Sequence, residues 1–204
     1  DQRIHEINEF RNDQLLSLRS LDRNIERIIQ KLAEEKLLDK TVVIFLSDNG
    51  KLWGEHRLAS KNSFYEEASR VPFALRYPPL VPMPYVEEKP VANIDIAPTL
   101  YDLARIPIPE EVDGVSLVPL LLAGDMQRGG VLIEGWPGRG NYEAYHAGNY
   151  VYAETLGDKS EFYDLEKDPY QLENAIDDPE YQSLIEEMKI ALERINTDYL
   201  FEVV

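Results

Sequence analysis

The feature that most constrains this chain is an unbroken apolar run over residues 42–46 that changes abruptly into Ser47, Asp48, Asn49 and Gly50. Such a run, bounded by turn residues, predicts a strand buried on both faces, as in a parallel sheet. Ligands of open α/β sheets collect beyond the carboxyl ends of such strands. We therefore expect Asp48 and Asn49 to lie at a ligand-binding edge, although Asp-Asn-Gly is also an ordinary turn sequence.

Helices and strands are predicted on both sides of this run. Apolar residues at spacings of three and four predict amphipathic helices, and short segments separated by glycine and polar residues predict a small antiparallel sheet. The predicted helices are 11–36, 62–69, one capped by Asp95, and 179–195 with Leu184, Ile185, Met188, Leu192 and Ile195 as its buried stripe. The predicted strands after the first are 73–77, 131–134, 142–146, 150–154 and 162–163.

A cluster of glycines near residues 124–130 predicts a boundary between two parts of the chain. Residues 1–126 would form an α/β part, and residues 127–204 a small subdomain of antiparallel strands and a final helix. A helix followed by a buried strand is half of a βαβ unit, so the first part is expected to be an incomplete sheet with flanking helices.

Charge and composition exclude several classes of function. The formal net charge of −17 argues against nucleic acid as a partner, since nucleic-acid binding needs a basic face. The absence of cysteine excludes disulfides and thiolate metal sites. No run of 18 apolar residues predicts a membrane span, and the first residues do not resemble a signal peptide. The cellular compartment therefore stays open.

The loop after the first strand carries the residues with chemical potential. Asp48 and Asn49 offer hard oxygen donors, which suit Ca²⁺ or Mg²⁺ better than Zn²⁺, but calcium takes about six to eight oxygens and two residues cannot supply them. His56 could donate a proton to a departing oxygen, and Lys61 could stabilise charge on a sulfate or phosphate ester. Taken singly, His56 is more often a surface or hydrogen-bonded structural residue, and Lys61 a solvated lysine. Glu66 and Glu67 are expected to support the loop or face water, and Arg70 to pair with either or be exposed.

Several motifs, in order, resemble the second half of a sulfatase. They are residues 41–50, Gly54-Glu55-His56, Lys61, residues 65–72, residues 95–100, residues 114–117, and residues 162–169 followed by Glu173-Asn174. The similarity covers nearly the whole chain, from about residue 11 to residue 195. The resemblance implies the alkaline-phosphatase-like α/β fold and an enzyme that hydrolyses sulfate esters, with carbohydrates as the expected substrate class. It leans towards glucosamine-6-sulfatase-like relatives.

The same resemblance implies roles for four residues. Asp48 and Asn49 would be two ligands of a Ca²⁺ ion, with Mg²⁺ the less favoured alternative. Lys61 would contact the sulfate group, and His56 would be an active-site residue that also contacts substrate. The parent enzyme would be a candidate for export to the periplasm or the cell exterior.

The chain also departs from the family pattern. The formylglycine nucleophile of sulfatases is made within a Cys/Ser-x-Pro/Ala-x-Arg motif, which this chain lacks, as it lacks the N-terminal pair of acidic calcium ligands. Around residues 142–152 the chain has Glu143, His146 and Val151 where relatives are often more basic. The chain is therefore expected to be inactive alone, and an exposed sheet edge could drive self-association.

Two other functions remain open at this point. Phosphonate and phosphate ester hydrolases of the same superfamily share the Asp-Asn/His-Gly and Gly-Glu-His patterns, and the nucleophile would separate them from sulfatases. A non-catalytic binding module that retained the fold would show no dependence of calcium binding on Asp48.

Overall fold

The structure, a computed structural model, describes residues 2–59, 61–125, 128–135 and 141–201, with side chains described as far as residue 195. Its helices are α1 (Gln2–Glu34), α2 (Glu66–Ser69), α3 (Ile96–Leu103), α4 (Val118–Ala123) and α5 (Gln182–Phe201). Its strands are β1 (Val43–Leu46), β2 (Phe73–Arg76), β3 (Val131–Glu134), β4 (Tyr142–Ala147), β5 (Tyr150–Thr155) and β6 (Glu161–Asp164). Short 3₁₀ turns occupy Leu38–Lys40, Glu55–Arg57 and Asn93–Asp95.

Strand β1 forms where the apolar run predicts it, but its surroundings differ from the prediction. It pairs antiparallel with β2, with Val43 opposite Arg76 and Leu46 opposite Phe73. Phe45 is 38% exposed. The expectation of a strand buried on both faces in a parallel sheet was wrong, because β2 is the sole strand beside β1 among the described residues and the other edge is left open.

Helix α1 is longer than its apolar periodicity indicates and is not packed as an amphipathic helix usually is. None of its described residues is buried, and Leu15, Leu18 and Leu21 are all at least 43% exposed. The periodicity predicts the helix correctly. It cannot supply a packing partner, and most of this apolar face stays exposed, with Ile25, Ile29 and Leu32 only half-buried.

The second short helix is half the predicted length. It begins at Glu66 rather than residue 62, because Tyr65 is extended and its amide donates to the Ser63 hydroxyl at 3.3 Å. Such a local bond from a serine side chain competes with the helical hydrogen-bond pattern. The helix ends before Pro72, as predicted, with Arg70 at its C-terminal cap.

The capping role predicted for Asp95 was also wrong. Its carboxylate makes no capping bond to α3. It accepts the amides of Ala92 and Val115 and a bidentate ion pair from Arg128, with distances of 2.6–3.0 Å. Asp95 is fully buried, so these four donors replace the water it would otherwise keep.

The last third confirms the predicted antiparallel sheet. Strands β3 to β6 lie in sequence order, each antiparallel to the next. Helix α5 packs on one face of this sheet through Ile185, Met188 and Leu192, which are buried against Tyr145, Tyr152 and Phe162, while Leu184 and Ile195 are partly buried. The other face carries a second cluster that includes Phe64 from the segment before α2.

Together these elements confirm the predicted α/β class with a small antiparallel subdomain. The proposed division at residues 126/127 stays a prediction. Two contacts that cross it are the Asp95–Arg128 pair and the packing of Phe64 on Tyr142. None of the described helices is both long and apolar enough to cross a bilayer.

Candidate functional site

The turn that follows β1 is fixed by short helix α2. The Gly50 amide donates to the Ala68 carbonyl at 2.8 Å, and the Lys51 amide donates to the Glu67 carbonyl at 2.6 Å. The approach is so close that a Cβ at Gly50 would lie 2.1 Å from the Glu67 carbonyl oxygen. Only glycine fits there, so the turn that carries Asp48 and Asn49 is tied to α2 through Gly50 and Lys51.

The two candidate metal ligands are arranged as an oxygen-rich turn. The Asp48 side chain is exposed, and its Oδ1 accepts the Asn49 amide at 2.9 Å. The Asn49 side-chain N–H donates to the Gly50 carbonyl at 2.8 Å. The side-chain carbonyl oxygen of Asn49 therefore points away from Gly50 and can act as an acceptor. The Ser47 hydroxyl donates to the Asn49 carbonyl at 2.9 Å. The side-chain oxygens of Asp48 and Asn49 are the kind of ligand that a hard cation takes.

The donor set is nevertheless incomplete within this chain. No group of three or more acidic, histidine or cysteine side chains suited to a metal ion occurs among the described residues. Asp48 and Asn49 supply two of the six to eight oxygens that calcium takes. Further ligands would have to come from elsewhere in a longer polypeptide or from substrate and water.

His56 is held in an unusual backbone conformation. Its φ of 51° and ψ of 20° are left-handed, and Arg57 follows at φ 60°. For non-glycine residues this region costs about 1–3 kcal/mol each and persists where the surroundings impose it. Here the Trp53 amide donates to the Glu55 carboxylate, which closes the loop just before His56.

Two neighbours fix the His56 imidazole. It stacks on the Tyr65 ring with centroids 3.6 Å apart and planes 4° from parallel. Its Nε2 lies 3.7 Å from Glu67 Oε2, and the side chains of His56 and Glu67 are 10% and 23% exposed. The expectation that Glu67 supports the loop therefore agrees with its position.

The Tyr65 ring is anchored in turn from the C-terminal sheet. Its hydroxyl donates to Glu161 Oε2 at 3.0 Å, and the Tyr163 hydroxyl donates to the same oxygen. Burial, followed by the Glu161 carboxylate, raises the pKa of Tyr65 to about 12. The ring beside His56 is therefore a neutral phenol through the physiological range.

Glu66 points to the other side of α2 from Glu67. Its Oε1 lies 3.1 Å from His146 Nε2, its Oε2 lies 3.4 Å from Arg70, and its amide donates to the buried Gln171 side chain at 2.8 Å. Burial raises the pKa of Glu66, but the hydrogen bond and charge of His146, helped by Arg70, outweigh burial and hold the pKa below its usual value. His146, in the hairpin of β4 and β5, thus has Glu66 as a structural partner.

Lys61 differs from the other candidate residues. Its side chain is exposed and makes no hydrogen bond or ion pair with any other residue that the structure describes. The structure thus joins His56 to Glu67 and the Asp48–Asn49 turn to the same helix, and among the described residues it shows no hydrogen bond or ion pair from Lys61 to either. The sequence gives no specific role to Tyr65 and Glu161, since their contact with each other joins positions 96 residues apart.

Comparisons with known proteins show which family this chain resembles. The family described as "N-sulphoglucosamine sulphohydrolase, C-terminal" matches residues 54–132, and a family of unknown function matches residues 5–92. A choline-sulfatase of Rhizobium meliloti is 34% identical over 78% of this chain and 31% of its own length. An N-acetylglucosamine-6-O-sulfatase of Bacteroides thetaiotaomicron is 28% identical over 94% of this chain and 36% of its own length.

Solved structures agree in fold. An enzyme in complex with its substrate D-glucosamine-2-N,6-O-disulfate superposes with a TM-score of 0.78 and 26% identity, over 89% of this chain and 39% of that one. A phosphonate monoester hydrolase of Agrobacterium radiobacter shares the fold, with a TM-score of 0.74 and 24% identity over 87% of this chain and 39% of that one.

The chain thus spans about a third of the length of the curated relatives it matches. Its fold is that of the alkaline-phosphatase-like enzymes, as the ordered motifs predict. The chain belongs to the sulfatase family and corresponds to the C-terminal portion of a sulfatase.

Proposed function

We propose that the polypeptide containing this chain hydrolyses sulfate esters of carbohydrates. The observation that carries the proposal is that α2 holds both halves of the site. Its backbone carbonyls fix the turn after Asp48 and Asn49, and its Glu67 side chain faces His56. A relative named N-acetylglucosamine-6-O-sulfatase, and a related structure in complex with D-glucosamine-2-N,6-O-disulfate, support carbohydrate as the substrate class.

Asp48 and Asn49 would hold a Ca²⁺ ion through one carboxylate oxygen and one amide oxygen, in preference to Mg²⁺, which demands stricter geometry. When bound, the ion supplies positive charge beside the oxygens of the sulfate group. Asp48 Oδ1 already accepts the Asn49 amide, which fixes the carboxylate and leaves Oδ2 for the ion.

Lys61 and His56 would act on the ester itself. The ammonium of Lys61 would pair with a sulfate oxygen and stabilise the charge that gathers there as the bond to sulfur breaks. A protonated His56 would give its proton to the departing alcohol oxygen, so that a neutral alcohol leaves. Both side chains therefore contact substrate as well as take part in the reaction.

The attacking group is not part of this chain. The sequence holds no cysteine and no Cys/Ser-x-Pro/Ala-x-Arg motif from which a formylglycine could form. We therefore expect the 204-residue chain to bind weakly and to show no turnover. The full-length polypeptide would carry the nucleophile.

The test is a kinetic comparison in the full-length polypeptide with glucosamine 6-sulfate and p-nitrophenyl sulfate as substrates, with and without calcium. Lys61→Ala should lower kcat/KM about 10²–10³-fold, as removal of a charge-stabilising donor does. His56→Ala should lower kcat about 10²-fold or more, with the smaller loss for p-nitrophenyl sulfate because its leaving group needs no proton. The substitution Lys159→Ala, at an exposed lysine paired with Asp177 far along the chain, serves as the control. Full activity of both site variants would contradict the proposal.

The alternative within the superfamily is hydrolysis of phosphonate or phosphate esters, which the shared fold of the phosphonate monoester hydrolase favours. The same polypeptide assayed with p-nitrophenyl phenylphosphonate distinguishes the two. A higher kcat/KM for the phosphonate than for any sulfate ester would replace the main proposal with the alternative.

A further inference from the structure

Short helix α2 is held at both ends by groups from other parts of the chain. It has four residues, about a single turn, and a helix of that length is not stable by itself in water. Two carbonyls at its C-terminal end accept the amides of Gly50 and Lys51, from the turn that follows β1. At its N-terminal end, the Glu66 amide donates to the side-chain oxygen Oε1 of Gln171 at 2.8 Å.

Gln171 lies 105 residues further along the chain and is turned inward by a strained loop. It is 1% exposed, whereas its neighbours Tyr170 and Leu172 are 65% and 71% exposed. Its φ of 51° is left-handed, a conformation that is uncommon and unfavourable for a residue other than glycine. The loop therefore buries one polar side chain between two exposed apolar ones.

The polar atoms of the Gln171 side chain are unequally satisfied. The Glu66 amide can only donate, so the atom that faces it must be the oxygen Oε1, and Nε2 points elsewhere. Nε2 is buried and has no hydrogen-bond partner among the described residues. A left-handed backbone and an unpaired buried nitrogen both oppose a glutamine here, and the bond to the Glu66 amide is the contact that favours one.

We propose that Gln171 is a positioning residue for the candidate cation site. By accepting the Glu66 amide it fixes the backbone of α2, and α2 in turn fixes the turn that carries Asp48 and Asn49. The route runs along the main chain of one helical turn, from the amide at its start to the carbonyls at its end. The consequence for calcium-dependent hydrolysis rests on the proposed function, whereas the positioning of the turn does not.

Two other contacts join this region to the C-terminal sheet, but they act on side chains. The Tyr65 hydroxyl donates to Glu161, and the Glu66 carboxylate faces His146. Each of these side chains can rotate without a shift of the helix axis. Gln171 binds a main-chain amide, so loss of its oxygen frees the backbone itself.

The first experiment measures amide hydrogen exchange by NMR in the ¹⁵N-labelled 204-residue chain, at residues 50, 51 and 66. Gln171→Met keeps the length of the side chain but replaces its amide by a thioether, which is a weak acceptor. We expect exchange at the three amides to rise about 10-fold, as loss of one hydrogen bond does, with exchange in β5 unchanged. Gln171→Glu keeps an acceptor oxygen and should retain most of the protection.

Two control variants separate positioning from general stability. Gln182→Met, at an exposed glutamine that donates to the carbonyls of Ile176 and Asp178, should leave the three amides unchanged. Leu192→Ala weakens the core on the opposite face of the sheet from Phe64, and it should not single out residues 50, 51 and 66. Unchanged exchange at residues 50 and 51 in Gln171→Met, or the same selective rise in Leu192→Ala, would overturn the proposal.

The second experiment measures the calcium dependence of glucosamine 6-sulfate hydrolysis in the full-length polypeptide. Gln171→Met should raise the calcium concentration for half-maximal activity about 3–10-fold, because a less fixed turn must be ordered when the ion binds. The kcat at saturating calcium should stay at the wild-type value. A lower kcat with an unchanged calcium dependence would overturn the role. Should the wild-type protein hydrolyse no sulfate ester, the proposed function fails, while the exchange rates still decide whether Gln171 holds the turn.

Discussion

At the scale of single residues, buried charges carry the largest consequences. Asp95 is fully buried and depends on two backbone amides and on the Arg128 guanidinium, whose side chain is 17% exposed. A buried ion pair is weak evidence for net stability, but removing one member leaves an uncompensated charge, which is strongly unfavourable. The pair also ties the segment before β3 to the start of α3.

We therefore predict that Arg128→Met lowers the free energy of unfolding by about 3–5 kcal/mol. The control is Arg76→Met, at a guanidinium whose side chain is 42% exposed and whose partner Asp39 is 77% exposed. That exposed pair should be worth about 1 kcal/mol or less. Urea denaturation followed by circular dichroism measures both, and equal losses in the two variants would contradict the buried role of Asp95.

A second prediction at this scale concerns Glu66 and the stability of the fold at acid pH. The pKa of Glu66 is lower in the folded chain than its ordinary value of 4.5. The stabilisation that the ionised Glu66 carboxylate contributes is therefore complete above pH 4.5. It is lost as the pH falls through the lower pKa of Glu66 in the folded chain. Glu66→Gln should be less stable than the wild type near neutral pH, and the difference should shrink on acidification. Denaturation curves from pH 7 to about pH 3 test this, and a gap that widens in acid would contradict it.

At the scale of elements, the final helix shows how well periodicity predicts packing. Leu192 is 2% exposed within the cluster that joins α5 to the sheet, whereas Ile190 on the same helix is 46% exposed. Leu192→Ala should cost about 2–5 kcal/mol, because a buried leucine leaves a cavity. Ile190→Ala should lower the free energy of unfolding by much less, because this side chain is largely exposed. A thermal or urea transition for each variant checks the difference, and similar losses would show that α5 packs through another face.

The elements also show what a sequence can and cannot predict here. Strands β3 to β6 are short segments separated by glycine and polar residues, so the sheet follows from local pattern. The environment of β1 does not, because a continuous apolar run cannot tell whether its neighbours are antiparallel, parallel or absent. The helix at α2 starts late because Ser63 binds the Tyr65 amide, a competition visible only in three dimensions.

The candidate site likewise contains residues that the sequence predicts and residues that it does not. Asp48, Asn49, His56 and Lys61 are recognisable from their motifs, since those residue types recur in a fixed order. Tyr65 and Glu67 lie within the quoted motif, but their contact with His56 depends on how the loop folds back onto α2. The anchor at Glu161 has no sequence signal at all, because it arrives from a strand almost a hundred residues away.

At the scale of the whole molecule, the chain exposes a strand edge and an apolar helix face. One edge of β1 has no strand beside it among the described residues, Phe45 is 38% exposed there, and the apolar face of α1 is open. An exposed strand edge is a template for pairing with another chain. We predict concentration-dependent self-association of the 204-residue chain, reduced by Phe45→Lys. Size-exclusion chromatography with light scattering tests it, and a monomer at all concentrations would contradict it.

The central claim is that the turn after β1 holds a cation beside the loop that carries His56 and Lys61. It is tested most directly by titrating the ¹⁵N-labelled 204-residue chain with calcium and following its amide signals. We predict weak, saturable shifts centred on Asp48, Asn49 and Gly50 that disappear in Asp48→Ala and persist in Asp177→Ala, a change at a distant exposed carboxylate. Shifts that spread over the acidic surface and are unaffected by Asp48→Ala would contradict the claim.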